Sequence, residues 1–302
     1  MSIEKNDYAN EHLKKNLDFY FLYNGKDILG APSGIKSLDK RVEGFFGLVG
    51  LTGEPGKGKT SLAIQTAVFN AFILNKPVLY ISLEVNKDML ITKMISHLTG
   101  IPLKKILKGG MNYEESKKFV DASISILNNK NLIVIDTSDA TFNKIEGLIY
   151  DIKDDYFNKY GVEEEVLVVL DYLNIFKDVP EGEVNLNSDN NDKTKAQMTK
   201  LIQIKNDTKS NWIIILAKNK QGYKKQDMGS IKGSGDLEYG FETLISLEDP
   251  DEEFPRSDFP ENPATGFKEV NTLAVFLKAR WESTKGGVPL YFNGTENRFC
   301  EP

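Results

Sequence analysis

From Gly47 onward, short runs of uninterrupted apolar residues alternate with stretches whose apolar positions repeat at helical spacing. Residues 46–53 (FGLVGLTG), 77–84 (PVLYISLE), 131–136 (NLIVID), 166–171 (VLVVLD) and 212–217 (WIIILA) are runs of the first kind. A strand apolar at every position, rather than at every second one, is hidden on both faces, as in a parallel sheet covered by helices. The spacing predicts helices over Ser61–Leu74 and Lys87–Leu98, and each later run follows a helical or polar stretch. The pattern is that of an α/β domain with a mainly parallel central sheet flanked by helices.

Near the C-terminus the pattern changes. ETLISLE (242–248) and NTLAVFLKAR (271–280) are joined by an acidic, Pro-containing stretch, and VPLYFNGTENRF (288–299) follows. Successive strands without room for a crossover helix pair antiparallel, so an antiparallel extension is predicted here. The polar tract 180–192 reads as a loop, and no internal repeat is present. At the other end, Leu13, Leu17, Tyr20 and Phe21 lie at helical spacing and the run stops at Asn24-Gly25. Residues 1–28 thus read as a helical arm or linker and 29–302 as one domain. The arm either folds back on its own domain or docks on a neighbouring subunit.

Composition narrows the class. The chain has 302 residues, 40% of them hydrophobic, enough for a substantial core. The single cysteine, Cys300, cannot form an internal disulfide, and His12 and His97 make no zinc-ligand cluster. The first residues lack the apolar core of a signal peptide, and no run of 18 apolar residues occurs, so a soluble, cytoplasmic protein without membrane partners is expected. With a net charge of −6, any contact with nucleic acid has to come from local basic segments.

The strongest chemical signal is Gly53-Glu54-Pro55-Gly56-Lys57-Gly58-Lys59-Thr60, which satisfies G-x-x-x-x-G-K-[ST] between a buried strand and an amphipathic helix. Glycines let backbone N–H groups turn around phosphates, and the helix N-terminus at Lys59 to Ser61 adds its dipole. In such a loop Lys59 reaches the β- and γ-phosphates and the Thr60 hydroxyl ligates Mg²⁺, which makes ATP and Mg²⁺ the expected cofactors. The metal's second anchor is an Asp at the end of a neighbouring apolar strand. Asp136 and Asp171 both qualify, and spacing does not choose between them. Glu84, ending PVLYISLE, stands where a residue that orients the attacking water would be, or is an ordinary solvated acid after a strand.

Several segments, in order, resemble DnaB-like replicative DNA helicases and their RecA-like P-loop ATPase domain. GAPSGIKSLDKRVEGFFG (30–47) looks like the family's opening segment, GEPGKGKT is its phosphate loop, and ISLEVNKDMLITKMIS (81–96) resembles its "SLEMS" segment with the following helix. LDYLNIF resembles its "DYLQ" strand end, IKGSGDLEYGFETLISL (231–247) its "R-x-S-G" segment, and LKARWESTKGGVPLYFNGTENRF its "K-x-R…RF" ending. The resemblance implies a RecA-like fold, Glu84 as the catalytic glutamate and Asp171 as the Mg²⁺ ligand. It also implies a homo-oligomeric ring, a hexamer, with the nucleotide between subunits and Lys278 and Arg280 inserted from a neighbour to stabilise charge on the γ-phosphate. Read without it, Lys278 and Arg280 decorate an edge strand.

The family's DNA-gripping loops correspond to 177–195 and 219–235; the second carries Lys220, Lys224, Lys225 and Lys232 with Tyr223. Such lysines attract phosphate without reading bases. The implied function is an ATP-driven motor that moves on single-stranded DNA and unwinds duplex, with primase or a helicase loader as partner. Three features depart from the pattern: Lys218 stands where the family has a γ-phosphate-sensing glutamine, Tyr239-Gly240-Phe241 replaces a polar run, and Trp281 follows the finger. No segment resembles the family's separate N-terminal domain. Lys218 and the lack of a segment like that domain favour the alternative, a RecA-like recombination mediator, loader or regulatory switch that does not unwind, whereas the full order of the motifs favours the helicase.

Overall fold

The computed structural model describes residues 25, 27–136, 140–173, 176–179, 190–218, 240–250, 270–280, 284 and 286–302. Within them nine strands form one sheet: β1 Leu48–Gly53, β2 Val78–Ser82, β3 Leu132–Ile135, β4 Leu167–Asp171, β5 Asn211–Ile215, β6 Thr243–Glu248, β7 Thr272–Ala279, β8 Gly287–Asn293 and β9 Arg298–Cys300. Their order is β3-β2-β4-β5-β1-β6-β7-β8-β9. The six strands from β3 to β6 run parallel, and β7, β8 and β9 are added antiparallel. The mainly parallel sheet with its antiparallel extension is therefore present.

The helices are α1 Lys36–Val42, α2 Lys59–Val68, α3 Lys87–Thr99, α4 Leu103–Lys108, α5 Tyr113–Asn128, α6 Phe142–Tyr160 and α7 Asn190–Thr208. Alternate residues of each central strand feed opposite layers. Val49, Leu51, Ile213 and Ile215 pack with Leu62, Leu90 and Met94 under α2 and α3. Leu48, Trp212 and Ile214 pack with Ile145, Ile149, Leu201 and Ile204 under α6 and α7. Every residue of β1, β2, β4, β5 and β6 is buried, which is why these strands read as unbroken apolar runs.

Some boundaries differ from those the sequence predicts. The helix expected over Ser61–Leu74 begins two residues earlier, and its last turn, Phe69–Ile73, is a π-helix. There Asn70 is buried and its amide donates to Pro32 O and Thr66 O, so the widened turn brings a polar side chain inward to hold the segment before α1. The end of the polar tract belongs to α7 from Asn190 onward. β7 is not an outer strand but lies between β6 and β8, although β8 covers only Thr272–Val275 of it. The helical arm and most of the two proposed DNA loops, with Lys220, Lys224, Lys225 and Lys232, lie outside the described residues. No helix among the described residues is long and apolar enough to cross a membrane.

The β8–β9 hairpin is tied to the helical layer by polar contacts. The Gln65 side chain accepts from Phe299 N and donates to Phe299 O, acting as one more strand partner. Arg298 Nη2 donates to His97 O, and His97 Nδ1 donates to Asn297 O. Burial pushes the His97 pKa down to about 4, so the ring is neutral in the folded chain. Between about pH 6.5 and about pH 4 the unfolded chain binds a proton that the folded chain refuses, so stability falls as the pH drops through that window. For His97→Gln, which keeps a donor, the loss of unfolding free energy between pH 7 and pH 5 in urea titrations is expected to shrink by about 2 kcal/mol relative to the unaltered chain.

Candidate active site

Parallel strands end together at one edge, and the phosphate loop emerges there from β1, between β5 and β6. A cavity of about 460 Å³ opens at this edge, lined by Gly53, Pro55, Gly56, Gly58, Lys59, Thr60 and Ser61 of the loop and α2. Glu84 after β2, Lys93 of α3, Asp171 of β4, Lys218 after β5 and Phe292 of β8 complete much of the wall. The Lys59 ammonium donates to Gly53 O (2.8 Å) and Glu54 O (3.0 Å), folding the loop around its own lysine. Burial lowers the Lys59 pKa, while the Asp171 and Glu84 carboxylates act in the opposite sense. Lys57 points outward to Asp249 (2.6 Å).

Asp171 and Thr60 meet across the sheet edge. Asp171 Oδ2 accepts from Thr60 Oγ1 (2.9 Å) and from the buried Tyr80 hydroxyl (3.2 Å), while its Oδ1 is buried with no hydrogen-bond partner. Desolvation raises the Asp171 pKa to about 6, against the lowering effect of those two hydroxyls. The other aspartate that spacing allowed is used elsewhere: Asp136 Oδ2 accepts from Lys87 N (2.8 Å) at the start of α3. Glu84 is exposed at the mouth, in a turn fixed by Leu83 N donating to Asp171 O and Ser82 Oγ donating to Val85 O.

Lys218 is only 6% exposed and pairs with Glu248 at the end of β6, whose same oxygen accepts from Ser246 Oγ. Ser61, buried, donates to Asn297 Oδ1 (3.3 Å). Lys278 and Arg280 are not brought to this cavity. Lys278 is opposite Leu244, and Arg280 N donates to Glu242 O, at the end of β6 away from the loop. Lys93, Tyr172, Phe292, Gly294 and Glu248 join the site or its floor although no motif in the sequence marks them singly. Phe292 and Phe299 of the C-terminal segment stack with ring centroids 4.5 Å apart against the phosphate loop.

The family model described as "DnaB-like helicase C terminal domain" matches residues 30–301. The chain belongs to that family. Among curated relatives, "Replicative DNA helicase DnaB" of Buchnera aphidicola subsp. Baizongia pistaciae is 26% identical over 164 residues, covering 54% of this chain and 34% of that protein. The protein of the same name from Haemophilus influenzae is 31% identical over 120 residues, covering 39% of this chain and 25% of its own length. This family member thus spans about a third of the length of the first of these relatives. Among solved structures, one described as an "ATPase Domain" superposes with a TM-score of 0.79 at 21% identity, covering 98% of this chain and 99% of that one. "The Structure Of A DnaB-Like Replicative Helicase And Its Interactions With Primase" gives 0.78 at 21% identity, covering 98% and 69%. Both share this RecA-like fold.

Two loop glycines separate backbone from packing effects. Gly56 and Gly58 both have positive φ (83° and 87°), but a Cβ on Gly56 meets nothing within 4 Å, whereas one on Gly58 lies 2.7 Å from Phe299 Cζ and 2.9 Å from Phe292 Cζ. Gly56→Ala is expected to cost roughly 1–2 kcal/mol through φ alone. Gly58→Ala should cost more, because a rigid stacked ring pair must also shift. Urea unfolding of the two variants tests the order; equal losses would contradict it.

Proposed function

We propose that this chain is the ATP-hydrolysing motor of a DnaB-like DNA helicase, residues 29–302 forming the motor and residues 1–28 a helical arm, and that it works in the cytoplasm as a homo-oligomeric ring, a hexamer. The observation that carries this reading is the division of charged groups between opposite edges of the sheet. Lys59, Thr60, Glu84 and Asp171 surround one cavity at the carboxyl edge. Arg280 sits beside Glu242, and the register from there to the loop at Gly53, opposite Leu247, runs five residues, roughly 17 Å. That is too far for Arg280 to serve the cavity of its own chain, but an arginine on the far edge suits a site completed by the next subunit.

The roles follow from the chemistry. Backbone N–H groups of residues 56–60 and the Lys59 ammonium hold the phosphates. The unpartnered Asp171 Oδ1 and the Thr60 hydroxyl are hard oxygen donors suited to Mg²⁺. Among the described residues no cluster of three or more His, Cys, Asp or Glu could hold a metal, so phosphate and water oxygens would fill the remaining positions. Bound there, Mg²⁺ would offset charge on the phosphates. Glu84 accepts a proton from the attacking water, which places that oxygen in line with the leaving group. Lys278 and Arg280 of a neighbour stabilise the charge spreading over the transferred phosphoryl group, an effect worth ~10³ to 10⁵ in rate for an arginine finger. Lys220, Lys224, Lys225 and Lys232 grip the phosphates of single-stranded DNA, and hydrolysis moves the ring along the strand to unwind duplex in replication, with primase or a loader as further partner.

Lys59→Ala is expected to abolish turnover, and Glu84→Gln to retain ATP binding while cutting kcat at least about a hundredfold. Arg280→Ala alone should be nearly inactive, yet mixed with Lys59→Ala it should recover part of the activity, because some interfaces then pair an intact loop with an intact finger. No recovery at any mixing ratio would sink the shared site.

A further inference from the structure

Lys218 and Glu248 are placed to do something beyond what the site's other residues do. β5 and β6 flank β1 on either side, so a line from the end of β5 to the end of β6 crosses the end of β1 where the phosphate loop begins. With adjacent strands about 4.8 Å apart, Lys218 spans roughly 10 Å beneath that loop to reach Glu248. The ammonium is almost wholly buried yet lines the nucleotide cavity. A buried lysine is costly unless paired, and the carboxylate that meets this one is also held by the Ser246 hydroxyl. An ammonium has three N–H donors, so a lysine bonded to one carboxylate oxygen retains donors for an anion in the cavity.

We propose that Lys218 is a transferable cation: it rests on Glu248 when the cavity holds no terminal phosphate and moves to that phosphate when a nucleoside triphosphate binds, so that Glu248, as a positioning residue, sets the preference for triphosphate over diphosphate. This rests on the reading of the cavity as a nucleotide site. The competition is electrostatic. A third phosphate adds negative charge within reach of Lys218, while a diphosphate leaves the lysine with its carboxylate. Ser246 remains to hydrogen-bond the carboxylate that Lys218 vacates, which lowers the cost of the exchange.

The test is the ratio of affinities for the β,γ-imido analogue of ATP and for ADP, both with Mg²⁺, in the full 302-residue chain and three variants. Glu248→Gln frees Lys218 from its competitor and should raise the preference for triphosphate about tenfold. Lys218→Gln should lower it about tenfold with ADP affinity little changed. The double variant Lys218→Gln/Glu248→Gln keeps a neutral, hydrogen-bonded pair and should follow Lys218→Gln, which guards against a single variant that fails to fold. Thermal denaturation supplies a second reading: the coupling between the two substitutions should be present without nucleotide and fade with saturating triphosphate. Equal ratios in all four proteins, a shift of both single variants in the same direction, or a coupling that the triphosphate leaves unchanged would overturn the proposal alone. Absence of Mg²⁺-dependent triphosphate binding by the unaltered chain would overturn it together with the nucleotide reading.

Discussion

β1 has no exposed residue, and the chemistry at the carboxyl edge depends on that burial. Held by β5 on one side and β6 on the other, it delivers the phosphate loop to a fixed point at the carboxyl edge of the sheet. The hydrophobic layers on the two faces supply most of the free energy, since each fully buried aliphatic or aromatic side chain contributes roughly 1.5–3 kcal/mol. Their rigidity allows a few polar groups to be set against one another at the edge without collapsing. Asp171 illustrates this: a carboxylate that burial disfavours is held between Thr60 and Tyr80, with one oxygen left facing no donor.

The same geometry explains why Arg280 lies away from the phosphate loop of its own chain. The phosphate loop, Glu84 and Asp171 stand at the carboxyl ends of parallel strands, whereas Arg280 follows β7, which runs the other way and ends beside the start of β6. The antiparallel extension carries Arg280 to the opposite edge and returns through β8 and β9, whose Phe292 and Phe299 close over Gly58. Strand direction thus sends one part of this extension to the chain's own phosphate loop and the other away from it.

Much of the fold was legible because burial on both faces writes a simple signal: five apolar runs became β1 to β5, and the crowded C-terminal runs became antiparallel strands. The phosphate loop was legible because its backbone demands glycines at fixed spacing. Less legible were groups whose meaning depends on strand order. Asp136 and Asp171 end strands of similar sequence, and spacing alone does not separate them; the structure does, through the bond from Thr60 to Asp171 and that from Lys87 N to Asp136. Lys218 was visible as a departure from a pattern, but Glu248, thirty residues on, becomes its partner because β6 lies across β1 from β5. The π-turn at Phe69–Ile73 was hidden within an unbroken helical pattern, as periodicity does not register one inward-turned asparagine.

Hydrolysis at the carboxyl edge, as proposed, requires a neighbouring subunit and is coupled to a single strand of DNA. The most direct measurement is the ATP hydrolysis rate per chain across protein concentrations, with and without single-stranded DNA. A rate that climbs steeply as subunits assemble and rises further with DNA is the predicted result. A rate per chain that is flat with concentration and indifferent to DNA would contradict the claim and point to a RecA-like regulatory switch or mediator.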